Sequence, residues 1–191
     1  MLEIRPAALA ELSLLPAIEA ESDTLLTALD VLPLTAVLPP GAGVAEFSAA
    51  LHILVAGRPP VAFARLEELD GQAHLEQLSV HPDWARQGIG RALVHAAVAW
   101  ARESGYRVLT LSTFADVRFN APFYMSCGFV AVTSPGPELQ EVSRREVELG
   151  LDKLGPRVLL QRILPGVPEG NGAPRPRFLT HGEQGRPIMP L

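Results

Sequence analysis

The chain has 191 residues, 48% of them hydrophobic, a net charge of −5 and one cysteine, Cys127. That length and apolar content fit one domain with a sizeable core and exclude a disordered chain. The negative balance argues against nucleic acid as a main partner, and the lone cysteine excludes an internal disulfide framework and fits a reducing compartment.

Residues 2–5 read as a short first strand. Residues 8–29 are rich in Ala, Leu and Glu and are expected to be mostly helical, with Pro16 marking a kink or the start of a second helix. Pro33, Pro39, Pro40, Gly41 and Gly43 make residues 30–44 a loop, and residues 46–50 a short helical turn. Two strands, 51–56 and 61–69, flank the turn Gly57-Arg58-Pro59-Pro60. A third, 72–80, follows Asp70-Gly71, a strong hairpin signal.

The third strand stops at His81-Pro82, because Pro disfavours helix before it and donates nothing to a ladder. A polar turn, 83–87, leads to Gly88-Ile89-Gly90. From there Ile89, Ala92, Leu93, Ala96, Ala97 and Trp100 recur at the spacing of an amphipathic helix, which Gly105 ends. Beyond it the sequence predicts a strand at 107–113, a helix at 117–125, a strand at 129–133, a helix at 142–149 and a last strand at 157–164. From Pro165 onward Pro and Gly dominate and periodicity vanishes, so the chain divides into a domain, 1–164, and a tail, 165–191. The first residues include Glu3 and Glu11 and lack a basic-then-apolar signal pattern. No apolar run reaches the length of a membrane span, so the expectation is a cytoplasmic protein with no membrane partner.

Strand, glycine turn and helix in that order carry chemistry. A helix N-terminus leaves its first N–H groups unpaired, its dipole favours an anion, and glycines let a phosphate approach the backbone. A Walker A loop is excluded, since no Gly-Lys-Ser/Thr follows, and Leu93 stands where a dinucleotide fingerprint has its third glycine. The stretch Ala85, Arg86, Gln87, Gly88, Ile89, Gly90, followed by Arg91, resembles the Gln/Arg-x-x-Gly-x-Gly/Ala turn of the GNAT N-acetyltransferases, with Ala85 at the Gln/Arg position. A second stretch, Asn120-Ala121-Pro122-Phe123-Tyr124 to Gly128-Phe129, is similar to that family's later signature. The resemblance covers residues 1–164.

The resemblance implies a GNAT fold of the α/β (α+β) class, with a central mixed, mostly antiparallel sheet of six to seven strands flanked by helices. It also implies acetyl-CoA (coenzyme A) as cofactor and direct transfer of its acetyl group to a primary amine in a ternary complex. On that reading the strand residues Leu78, Ser79 and Val80 meet the pantetheine arm, and the backbone of Leu78 and Val80 pairs with its amides. Arg86, Gln87, Gly88, Ile89, Gly90 and Arg91 hold the pyrophosphate, and Asn120 bonds the pantetheine. Glu76 is the candidate base, because an alkylammonium with a pKa of about 10.4 must lose its proton, and simple alternation puts Glu76 on one face with His74, Leu78 and Val80. A surface or salt-bridged role for Glu76 is equally open. Tyr124 is the candidate acid, a phenol protonated at neutral pH that can protonate a departing thiolate; its other reading is a core aromatic.

Asn120 has an alternative as a helix cap, and Arg91 as a solvated helix charge. His52 and His74 are as readily structural as catalytic, and Cys127 reads as packing. No Cys/His spacing suits a metal. The acceptor is a small-molecule or peptide amine, its identity unread, and dimers are common in the family. Two other classes stay open: a non-catalytic acyl-CoA-binding sensor, and a nucleotide-binding protein that uses the same turn for ATP or NAD.

Overall fold

A computed structural model describes residues 2–28 and 38–166. The tail from 167 and most of the 30–44 loop lie outside the described residues. Seven strands form one sheet in the order β1-β2-β3-β4-β5-β7-β6. They are β1 (Ile4–Pro6), β2 (His52–Ala56), β3 (Ala62–Leu69), β4 (Gln72–Val80), β5 (Val108–Phe114), β6 (Val130–Ala131) and β7 (Arg157–Ile163). Every neighbouring pair is antiparallel except β4 and β5. The helices are α1 (Leu15–Ala28), α2 (Val44–Ala49), α3 (Ile89–Glu103), α4 (Ala121–Ser126) and α5 (Pro137–Glu148). The mixed, mostly antiparallel sheet flanked by helices is the expected architecture. No described helix is long and apolar enough to cross a membrane.

Pro16 begins a new helix: a 3₁₀ segment, Leu9–Leu14, gives way to α1, and proline is tolerated in that first turn because its missing N–H has no partner there anyway. Three boundaries correct the sequence reading. The helix expected at 117–125 begins only at Ala121, because an earlier start would bury Pro122 in the helix interior, where it breaks a hydrogen bond and clashes with the preceding turn. The strand expected at 129–133 is only Val130–Ala131. The helix expected at 142–149 starts at Pro137, with Gly136 as its N-cap. Its cap comes from a distant turn: the Asp70 carboxylate accepts the N–H groups of Glu138 and Leu139, both at 3.0 Å. Gly136 has no room for a side chain, since a Cβ there would overlap that carboxylate.

Two apolar clusters sandwich the sheet. On one face Leu93, Val94, Ala97 and Ala101 of α3 pack against Ala62, Ala64, Leu66, Ala73, Leu75, Leu109 and Leu111. The alanines let the helix lie close. On the other face Leu12, Leu15, Ile18 and Phe47 cover Ile53, Val55 and Phe63. Phe47 and Phe63 meet edge to face with centroids 5.2 Å apart. Such a pair contributes about 1 kcal/mol beyond its burial.

The register contains one irregularity that matters for function. Arg65 lies opposite Gln77 and Leu66 opposite Leu75, so Glu76 is an extra residue, a β-bulge. A bulge inverts alternation beyond it. Ala73, Leu75, Leu78 and Val80 therefore share the face under α3, paired with Glu68, Leu66, Ala64 and Ala62. Glu76 turns to the α1 face. The expectation that Glu76 shares a face with Leu78 and Val80 is thus corrected, while His74 and Glu76 do lie on one face.

Candidate acyl-transfer site

The β4–β5 ladder pairs Ala73 with Leu109 and His74 with Thr110, and the Gln72 side chain extends the contact by accepting the Val108 N–H at 3.0 Å. Beyond those bridges the strands part, and the gap runs along Leu75 to Val80. The His81 N–H bonds Val61 O at 2.9 Å. In an antiparallel ladder bonded and non-bonded pairs alternate, so Ser79 belongs to a bonded pair with Phe63, and Leu78 and Val80 turn their N–H and C=O groups away from β3 into the gap. Ser79 is fully buried and its hydroxyl accepts from Gln77 Nε2 at 2.9 Å.

At the end of β4 the His81 ring accepts the Asp83 N–H, and the chain turns through Pro82–Trp84 to α3. Arg86 (φ 58°) and Gly88 (φ 81°) both adopt left-handed backbone. Gly88 caps α3 without any side-chain bond. The first helical bond in this region is Ala92 N–H to Gly88 O at 3.0 Å. The N–H groups of Gln87, Gly88, Ile89, Gly90 and Arg91 thus have no partner among the described residues. A Cβ at Gly90 would meet only ordinary contacts at 3.7 Å and beyond, so the protein itself does not require glycine there. Ile89 is buried as a core anchor. The Gln87 amide reaches the Asp83 carbonyl at 3.4 Å. Arg91 is engaged elsewhere: its guanidinium donates to Ser126 Oγ at 2.8 Å and Ser126 O at 3.2 Å, tying α3 to the end of α4.

Asn120 stands at the N-cap of α4, half-buried, with no capping bond and no other side-chain hydrogen bond among the described residues. Tyr124, one turn on, is half-buried between Phe123 and Phe129, with ring centroids 5.1 and 5.9 Å away. Burial pushes its phenol pKa up, so it stays protonated across the physiological range. Cys127 is buried beside it and 3.4 Å from an Arg91 nitrogen.

The opposite face of the gap is polar. Arg65 Nε donates to Glu76 Oε2 at 2.8 Å, a second guanidinium nitrogen contacts the same carboxylate, and a third nitrogen lies 3.7 Å from Glu67. α1 brings Glu19 and Asp23 to this face. Burial raises the Glu19 carboxyl to about 7, with Asp23 and Glu76 adding to it, while the Ala42 N–H and Arg65 oppose. Burial also raises Asp23, and raises Glu67 with help from Glu76. His74 is buried and held neutral, its pKa lowered to about 4 by burial, with Nδ1 2.8 Å from Thr110 Oγ1. Glu19, Asp23, Arg65 and Glu67 were not singled out by sequence reasoning. One signal pointed to the first: Leu15, Ile18 and Glu19 stand at i, i+3 and i+4, which puts a carboxylate at a core position.

Residues 35–129 match the family model described as Acetyltransferase (GNAT) family. The chain belongs to the GNAT acetyltransferase family. Within the GNAT family it is 36% identical over 62 residues to streptothricin acetyltransferase A of Bacillus subtilis (strain 168), covering 32% of this chain and 35% of that one. It is 43% identical over 56 residues to aminoglycoside N(6')-acetyltransferase type 1 of Stenotrophomonas maltophilia, covering 29% and 36%. The matched stretch spans about a third of the length of these curated relatives. The fold is similar to that of the ribosomal-protein-S18-alanine N-acetyltransferase from Escherichia coli, with a TM-score of 0.61 and 20% identity, over 91% of this chain and 100% of that one. The GNAT cofactor, coenzyme A in its acetylated form, fits the residues present: an unpartnered run of backbone N–H groups for its phosphates, an open strand edge for its amides, and an uncommitted Asn120 side chain at the start of α4.

Proposed function

We propose that this chain is an acetyl-CoA-dependent N-acetyltransferase that transfers the acetyl group directly to a primary amine in a ternary complex. The observation that carries the reading is the parting of β4 from β5 at His74–Thr110, which leaves the Leu78 and Val80 backbone unpaired in line with the free N–H groups that open α3. The relatives' names, for streptothricin and for an aminoglycoside, support an amine acceptor. A buried, unpaired Cys127 suits a reducing compartment such as the cytoplasm.

Acetyl-CoA held there would supply an activated thioester, whose carbonyl carbon would bond the amine nitrogen as the C–S bond broke and the sulfur left with the electron pair. The residues of this chain handle the protons and the positions. Gln87 to Arg91 offer backbone N–H groups to the pyrophosphate, with Arg86 beside them, and Leu78 and Val80 extend β4 to the pantetheine amides. Glu76, exposed at the bulge and oriented by Arg65, takes the proton of the amine directly or through water. Tyr124, kept protonated by burial, gives its proton to the sulfur.

Calorimetric titration with acetyl-CoA, with ATP and NAD as controls, tests the cofactor, and release of free thiol with a panel of amines tests turnover. Tyr124→Phe is expected to slow transfer by about 10²-fold or more with cofactor affinity nearly unchanged. A large loss of binding with unchanged turnover removes Tyr124 from the acid role. Binding of acetyl-CoA with no transfer to any amine would instead make the protein a sensor.

A further inference from the structure

α4 is too short to hold itself. It has six residues, Pro122 in its first turn and no capping bond from Asn120, and a helix of that length has no stability of its own in water. Yet it carries Tyr124, whose phenol must stand at one place to serve a departing sulfur. What fixes it comes from other elements. Arg162 of β7 donates to Cys127 O at 2.6 Å, and Arg91 of α3 donates to Ser126 O at 3.2 Å and to Ser126 Oγ at 2.8 Å. The last carbonyls of a helix lack intrahelical donors, and arginine side chains can supply them.

The Arg91 contacts lead directly to the acid. Ser126 Oγ, which accepts from Arg91, donates in turn to Phe123 O at 2.6 Å, the carbonyl of the peptide group that bears Tyr124. The Arg91 guanidinium also lies over the Phe123 ring, 5.6 Å from its centroid. That ring faces the glycine turn, since a Cβ at Gly90 would stand 3.8 Å from Phe123 Cζ, and its centroid is 5.1 Å from that of Tyr124. Among the described residues the side-chain hydrogen bonds of Arg91 all go to Ser126 and Cys127. The helix charges agree with this placement. Arg91 is the third residue of α3, where the N-terminal dipole disfavours a cation, whereas the carbonyl end of α4 favours one. One residue thus faces two ways: its backbone N–H belongs to the free run that opens α3, and its side chain belongs to α4.

Resting on the acetyltransferase reading, with Tyr124 as its acid, we propose that Arg91 is a positioning residue. Its side chain fixes α4 against the phosphate turn and so sets Tyr124 relative to the departing sulfur, instead of binding the pyrophosphate. The two-pronged hold on Ser126 is what acts, and the charge alone does not replace it.

The test compares wild type, Arg91→Lys, Ser126→Ala, Tyr124→Phe and the double variant Arg91→Lys with Tyr124→Phe, each as the full chain. Thiol release at saturating acetyl-CoA is read with spermidine, glucosamine and trialanine, and the acceptor that wild type uses fastest is kept. Arg91→Lys retains the charge and loses the fork, so kcat should fall about tenfold or more while the calorimetric Kd for acetyl-CoA stays within about threefold. Ser126→Ala touches neither the charge nor the turn and should reproduce part of the kcat loss. In the Tyr124→Phe background Arg91→Lys should cost little more, because a residue that acts through Tyr124 has nothing left to position. In cofactor-free protein Arg91→Lys should speed hydrogen exchange of the Tyr124 and Cys127 N–H groups, which are bonded within α4 to Asn120 O and Tyr124 O. A side chain that served only the pyrophosphate would leave that exchange unchanged. Wild-type kcat in Arg91→Lys, a loss of acetyl-CoA affinity at unchanged kcat, or an equal kcat loss in both Tyr124 backgrounds overturns the inference and leaves the acetyltransferase reading intact. Wild-type kcat in Tyr124→Phe, or bound acetyl-CoA with no thiol release, would overturn the reading beneath it, and the inference with it.

Discussion

Replacing Glu19 by Gln should stabilise the protein, and only at neutral to alkaline pH. The carboxyl has an ordinary value of 4.5 and is raised to about 7 in the folded chain, first by burial and then by Asp23 and Glu76. A group whose proton is held more tightly when folded contributes stability below about pH 4.5 that is lost as pH rises through about 7. The displacement corresponds to up to about 3 kcal/mol. Gln keeps the shape and an oxygen for the Ala42 N–H but carries no charge. The variant should therefore match wild type near pH 4.5 and exceed it by about 1–3 kcal/mol above pH 8. Asp23 and Glu67 are also raised, and their slopes are present in both proteins, so they largely cancel in the difference. Urea unfolding followed by circular dichroism at pH 5, 7 and 8.5 reads the gap from the midpoints if the slopes agree. A variant less stable than wild type at pH 8.5, or a gap constant across pH, would show that Glu19 is compensated in the folded state.

Glu11 should act with the opposite sign: the Arg5 hydrogen bond lowers it to about 2, so Glu11→Gln is expected to cost stability fully above pH 4.5 and progressively less as pH falls through about 2. An equal loss at pH 2 and pH 7 would rule the ion pair out as the cause. Asp70→Ala removes the distant cap of α5 and should cost about 1–2 kcal/mol, with faster hydrogen exchange at Glu138 and Leu139. Gly136→Ala displaces the same carboxylate, so the double variant should fall short of the sum; strict additivity would refute the shared cap. Gly88→Ala forces a Cβ into the left-handed region at a cost of about 1 kcal/mol and is expected to weaken acetyl-CoA binding. Unaltered affinity by calorimetry would detach the turn from the phosphates.

The sequence made the local part of this structure legible. Asp70-Gly71 between apolar runs produced the β3–β4 hairpin, and the 3.6-residue spacing from Ile89 to Trp100 produced α3, because each signal is complete within one segment. What escaped was non-local. The start of α5 looks like a loop because Pro135, Gly136 and Pro137 crowd together, and its cap residue lies at position 70. The free N–H groups at the glycine turn were legible from Gly88 alone, but the tie of Arg91 to Ser126 depends on how α3 meets α4. Glu19 carried a signal that went unused, a charge in phase with Leu15 and Ile18.

The bulge at Glu76 had no signature at all, and it connects two features of the site. Bulges increase local twist and end regular pairing. Here the last β4–β5 bridge is His74–Thr110, and the extra residue follows two positions later, so the strand leaves its parallel neighbour next to the bulge. The same residue reverses the alternation. Without it, Glu76 would point with Leu78 and Val80 into the apolar cluster under α3, and a carboxylate there would have no partner. With it, on the proposed mechanism, β4 would offer backbone to one substrate along its edge and a carboxylate to the other across its face. The direct transfer proposed above would need both substrates at one place, and a single inserted residue in one strand would supply the opening and the orientation together.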